Sequence, residues 1–77
     1  KSVIATGEAT TEHYDYDWRQ PTLLILGNEA RGASAELMKA CDAKVRIPLH
    51  EPVESLNVAA AGAAILFEAA RQRKVML

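Results

Sequence analysis

Glu29, Ser55 and Asn57 fall in two polar segments that each follow an apolar run. Gly27-Asn28-Glu29 closes "TLLIL" at 22–26, and "HEPVESLN" at 50–57 follows "KVRIPL" at 44–49. Open α/β sheets place their sites just past the carboxyl ends of strands. If the two runs are neighbouring strands, a carboxylate, a hydroxyl and an amide share one crevice. Each has a plainer reading as well. Gly27 can serve a tight turn, Ser55 can cap a helix, Asn57 can bond backbone near a helix start, and Glu29 can be a solvated loop carboxylate. Several chemistries are excluded. "GNEARGAS" lacks the Gly-Lys-Ser/Thr ending of a phosphate loop and the G-x-G-x-x-G of a dinucleotide fold. No Cys/His spacing suits a metal, and no His stands in a Ser/His/Asp arrangement. His13, alone in a polar loop, reads as solvated and idle.

The elements that must position these residues follow from patterning. Ser2–Thr6, Thr22–Leu26 and Lys44–Leu49 read as strands. "TLLIL" is apolar almost throughout, as a parallel strand covered on both faces would be. Pro48 stands near the end of the third run, where a missing N–H is tolerated. Between the second and third runs, "SAELMKACDA" reads as a short helix, with Ser34 as N-cap, Glu36 in the first turn, and Leu37, Met38 and Cys41 near one face. Strand, helix, strand makes a βαβ unit with a right-handed crossover. The class is therefore α/β, a mostly parallel sheet with flanking helices. Glu8–Pro21, "EATTEHYDYDWRQP", has no sustained period and reads as a surface connection.

A final helix is expected from an N-cap at Ser55 to about Arg73. Val58 to Phe67 carries no polar side chain, and six of its ten residues are Ala or Gly. That half is expected to be buried on nearly every side, with close backbone approach. From Glu68 onward the sequence is amphipathic and basic and is expected to surface. Arg71, Arg73 and Lys74 are cations at a helix end, which most often simply complement the dipole.

Seventy-seven residues make one small domain or a piece of a larger one. Residue 1 is Lys and the chain opens directly on strand-like sequence, which suggests a piece cut from a longer protein. A net charge of -1 gives no general push toward nucleic acid or membrane. The longest apolar run is ten residues, too short to span a bilayer. A single cysteine, Cys41, excludes an internal disulfide and suits a reducing, cytoplasmic setting.

Taken together, "LLILGNEARGAS" and, about twenty residues later, "IPLHEPVESLNVAAAGAAILFEAARQR" closely resemble motifs 2 and 3 of the SpoU-type (TrmH-like) RNA 2′-O-ribose methyltransferases of the SPOUT superclass. The resemblance extends back through "YDWRQPTLLILG" to "VIATG". It implies the C-terminal portion of a trefoil-knot fold, one of the rare exceptions to unknotted connections, with the last helix threaded through a preceding loop. It implies S-adenosylmethionine bound in the knot by Thr6, Gly27, Ile47, Leu49 and Leu56, largely through backbone groups. It implies that Glu29, Ser55 and Asn57 are catalytic-site residues, Ser55 and Asn57 orienting groups at the reaction centre and Glu29 fixing an arginine. That arginine, to which the base role is usually assigned, belongs to motif 1, which would precede Lys1. An RNA substrate, ribosomal or transfer, and a homodimer are implied too, with neither metal nor membrane. The sequence departs from the family pattern at Glu51-Pro52, where a Gly is common, and at Ala59, where Ser is common. Two other readings remain: a non-catalytic knotted nucleotide-binding or dimerisation module, and an unrelated flavodoxin-like domain, against which the missing phosphate loop argues.

Overall fold

A computed structural model describes residues 1–27, 35–50 and 57–73. Strand β1 is Ser2–Ala5, a single 3-10 turn covers His13–Asp15, β2 is Leu23–Leu26, α1 is Ala35–Ala40, β3 is Ala43–Val45, and α2 is Val58–Arg73. The three strands form one parallel sheet in the order β2-β1-β3. The βαβ unit therefore steps across β1, and β2 and β3 are not neighbours. The carboxyl ends of β2 and β3 therefore stand about 10 Å apart, two strand spacings, with the end of β1 between them.

Burial explains the order. Val3 and Ile4 point to opposite faces and both are fully buried, so β1 must be central. β2, expected to be covered on both faces, is an edge strand whose Leu23 is 64% exposed. β3 is shorter than expected because its partner runs out. Thr6 N–H donates to Val45 O (2.9 Å), and β1 then turns away at Gly7. Beyond that point Arg46 pairs instead with the 11–13 segment, donating to Thr11 O (2.9 Å) and accepting from His13 N–H (2.7 Å).

The register sets Val3, Leu24, Ala43 and Val45 on one face of the sheet. That face carries the core cluster of Val3, Trp18, Val45 and Ile65, flanked by Ala5, Tyr16, Leu24, Ile47 and Ala69. Trp18 comes from the stretch expected to be a surface connection, and it organises that stretch. Its Nε1–H donates to His13 O (2.7 Å) and its ring meets Tyr16 edge-on at 4.8 Å. Gln72 Oε1 accepts from Trp18 N–H (2.7 Å), Arg73 Nε donates to Trp18 O (2.9 Å), and Arg73 Nη2 donates to Gln20 O (3.1 Å).

α2 departs from the sequence expectation in its apolar half. Within Val58–Phe67 only Gly62 and Ile65 are buried, while Leu66 and Phe67 are 62% and 78% exposed. The sheet covers one side of the helix, and no second layer covers the other among the described residues. The polar half does surface at Ala70, Arg71 and Arg73, yet it is also the half fastened to the rest of the chain, through Gln72 and Arg73. Apolar composition alone cannot say which side of a helix finds a partner.

Gly62 is a point of close approach between α2 and β2. A Cβ there would lie 3.0 Å from Leu26 Cδ1. Because that atom is the end of a rotatable, partly exposed side chain, Gly62→Ala is expected to be near neutral. The gain of about 1 kcal/mol in helix propensity offsets a small shift of Leu26. Gly62→Val should destabilise by about 1–3 kcal/mol through overpacking, a contrast readable in urea midpoints.

Glu68 supplies a pH handle. Its Oε1 and Oε2 accept from Arg71 Nε (2.9 Å) and Nη2 (2.7 Å), and Oε2 also accepts from Gln72 Nε2 (2.7 Å). The Arg71 hydrogen bonds, with that of Gln72, hold its carboxyl down to about 2 from an ordinary 4.5. A depressed carboxylate contributes stability that is present above the unfolded-state value and is lost as pH falls through the folded one. Stability should therefore decline as pH falls from about 4.5 to about 2. Glu68→Gln should flatten that part of a denaturant-midpoint profile.

Candidate functional site

α2 runs antiparallel to the strands. Gly62 packs at the carboxyl end of β2, whereas Arg73 bonds Gln20, ahead of its amino end. At 1.5 Å per residue, Asn57 lies about 7 Å further along the axis than Gly62. The start of α2 thus overhangs the carboxyl edge of the sheet, where β1 gives way to Thr6, β2 to Gly27, and the chain after β3 continues through Ile47 and Leu49. The structure brings Thr6, Gly27, Ile47 and Asn57 to one end of the molecule. Glu29, Ser55 and Leu56 lie outside the described residues, as do the segments on which a threaded helix would rest.

Thr6 is committed on three sides. Beyond its bond to Val45, its carbonyl accepts from Ala9 N–H (3.2 Å) and its Oγ1 accepts from Glu8 N–H (3.3 Å). Its hydroxyl hydrogen is its remaining donor. Gly27 is half-buried, Ile47 is half-buried against the core cluster, and Leu49 is 36% exposed. The edge is therefore an apolar ledge fringed by main chain.

Asn57 is the cap of α2, where the sequence pointed to Ser55. Its Oδ1 accepts from Ala59 N–H (2.8 Å) and Ala60 N–H (3.3 Å), and its carbonyl accepts from Ala61 N–H (2.9 Å). Ser and Asn are comparable N-caps, so residue type could not choose between positions 55 and 57. This cap has a chemical consequence. With Oδ1 turned toward two donors, the amide orientation is set, and what the side chain can offer elsewhere is the pair of Nδ2 hydrogens. Asn57 is thus a positioned donor and cannot take a proton.

An ion pair flanks this edge. Glu12 accepts from Arg46 Nη2 (2.8 Å) and Nε (3.1 Å), and the guanidinium holds the Glu12 carboxyl below its usual range. Among the described residues no group of His, Cys, Asp or Glu could hold a metal ion. No helix there is long and apolar enough to cross a membrane. His13, read as solvated, is half-buried and acts through its main chain, and its Nδ1 is shielded from solvent. Sequence reasoning missed a pocket at the other end of α2, lined by Tyr14, Tyr16, Arg19 and Arg71 among others. The alternation "YDYDWR" was its visible trace.

Three comparisons bear on this arrangement. A family model described as the SpoU rRNA Methylase family matches residues 1–67. The chain is 48% identical over 69 residues to a 23S rRNA (uridine(2479)-2′-O)-methyltransferase of Streptomyces viridochromogenes, covering 83% of this chain and 24% of that protein. It is 43% identical over 74 residues to a tRNA (guanosine(18)-2′-O)-methyltransferase of Aquifex aeolicus, covering 94% and 35%. Among solved structures, the SpoU methyltransferase AviRb from Streptomyces viridochromogenes, in complex with the cofactor AdoMet, superposes with a TM-score of 0.88 at 42% identity. That match covers 95% of this chain and 29% of the other. The chain thus spans between 24% and 35% of the length of those two curated relatives.

Proposed function

The chain belongs to the SpoU rRNA methylase family, and from that membership we propose that residues 1–77 are the cofactor-binding portion of an RNA 2′-O-ribose methyltransferase. The observation that carries this reading is the carboxyl edge of the sheet. There Thr6, Gly27 and Ile47 lie at the same end of the sheet as the start of a helix whose Asn57 amide turns its oxygen to the cap.

The residues present fit S-adenosylmethionine. An apolar ledge with main-chain edges suits a flat, neutral adenine, because the dry surroundings leave N–H and C=O groups to discriminate. Thr6, Gly27, Ile47, Leu49 and Leu56 would hold it. When bound, this group supplies a methyl made electrophilic by its sulfonium. The chain's own residues position and polarise. Methyl transfer to a ribose hydroxyl needs the oxygen in line and a setting that favours negative charge on it. Asn57 donates to an oxygen at the reaction centre, Ser55 orients beside it, and Glu29 fixes an arginine of motif 1. Taking the ribose proton falls to that arginine, upstream of residue 1 in the longer protein we propose. The chain alone is therefore expected to be inactive.

The parent enzyme acts on ribosomal or transfer RNA as a homodimer in the cytoplasm. Support for dimerisation comes from α2, where Ala59, Ala63, Leu66, Phe67 and Ala70 form an exposed stripe at helical spacing. Calorimetric titration of S-adenosylmethionine into the full-length protein should show saturable binding. Incubating the loaded enzyme with ribosomal and transfer RNA should then yield a 2′-O-methylnucleoside on nuclease digestion. Absence of cofactor binding would overturn the reading. Binding with no methylated product would favour a non-catalytic module.

A further inference from the structure

At the far end of α2, about 20 Å from Asn57 by helical rise, Tyr14, Asp15, Tyr16, Asp17, Arg19 and Arg71 line a pocket of about 310 Å³. We propose that this pocket holds one unpaired nucleotide of the RNA substrate, an anchoring contact remote from the reaction centre; it rests on the reading that RNA is the substrate.

Three features point to a nucleotide. The pocket is an open surface depression of about 310 Å³, which leaves one face of a base against the protein and its phosphate at the rim. Tyr14, 49% exposed, offers a phenol ring to stack upon, and its orientation is supported by an edge contact with the His13 ring at 5.4 Å. The two guanidiniums are aimed in advance. Arg19 donates from Nε (2.9 Å) and Nη2 (3.3 Å) to Asp17, and Arg71 donates from Nε (2.9 Å) and Nη2 (2.7 Å) to Glu68. Each fork occupies two of five N–H donors and leaves three for a phosphate or a base edge. The side chains remain 70% and 68% exposed. Asp17 and Glu68 are each paired to a guanidinium, which leaves Asp15 as the lining carboxylate outside any ion pair among the described residues. Asp15 adds an acceptor suited to the N–H edge of a base. A duplex keeps its bases stacked and cannot insert one, so the pocket selects single-stranded segments.

The test uses the full-length protein, a short mixed-sequence single-stranded RNA oligonucleotide and the corresponding duplex. Tyr14→Ala should weaken single-strand binding by about 5–150-fold, equivalent to ~1–3 kcal/mol per stacked base, and leave duplex binding unchanged. Tyr14→Phe, which keeps the ring, should bind as wild type. Arg71→Gln should reduce the salt slope of single-strand binding by about 0.7. In methylation assays Tyr14→Ala should raise KM for RNA with kcat unchanged, as loss of uniform binding does. Unaltered single-strand affinity in Tyr14→Ala, or equal losses for strand and duplex, would overturn the proposal. Titration of S-adenosylmethionine separates the two readings. A wild type that binds no cofactor sinks the methyltransferase reading, while the oligonucleotide comparison still decides the pocket.

Discussion

Asn57→Asp in the full-length enzyme is expected to lower the methylation rate by about 10²–10³-fold, the cost of losing one preorganised donor at developing negative charge, while α2 stays as stable as before. The carboxylate can accept from Ala59 and Ala60 N–H as the amide does, and a negative charge at a helix start is favourable by about 0.3–1 kcal/mol. It cannot donate, and it places charge of the wrong sign beside the ribose oxygen. Asn57→Ala should lose both contributions, a similar fraction of rate and about 1 kcal/mol of stability from the missing cap. Single-turnover rates set beside thermal midpoints read the two effects separately. An Asp variant that methylates normally would mean that position 57 serves the helix alone.

Trp18→Ala is expected to cost about 3–5 kcal/mol, a large share of the ~5–15 kcal/mol available to a typical domain. The side chain is 2% exposed at the centre of the core cluster. Its removal opens a void between sheet and helix and leaves His13 O without the indole donor. The loss would spread, because Gln72 and Arg73 hold α2 through the main chain of Trp18. Trp18→Phe keeps most of the volume and should cost less, including about 1 kcal/mol for the hydrogen bond. Urea unfolding measures both. A change under about 1 kcal/mol in the Ala variant would contradict the placement of Trp18 at the core, since buried aromatic truncation costs several times that.

The strands and the α/β class were legible because short apolar runs bounded by Gly, Pro and polar residues have few alternatives. Thr6 and Gly27 could be placed at strand ends for the same reason. What escaped the sequence depends on partners far along the chain. Trp18 sits in an aperiodic stretch, and the bonds that order it join residues 54 and 55 positions apart. No local pattern encodes such bonds. The end of β3 was set by where β1 turns away, not by its own residues. The burial of α2 was misread because Val58–Phe67 is uniformly apolar, and such a run carries no record of which side meets the sheet. Asn57 was expected to be a site residue on the family motif alone. That its carbonyl oxygen is spent on the cap, leaving it a donor, required coordinates.

The central position of β1 has a kinetic side. Its partners begin at Leu23 on one flank and Ala43 on the other, so no hairpin or other short-range pairing can start the sheet. Two loops must close before the innermost strand is enclosed, and closure entropy is spent ahead of the contacts that reward it. During synthesis β1 emerges before β2 and β3 and waits, its Val3 and Ile4 uncovered by either, until both arrive. Such a chain should refold slowly for its size, and it should depend on chaperone shielding in that interval more than a helical protein of equal length.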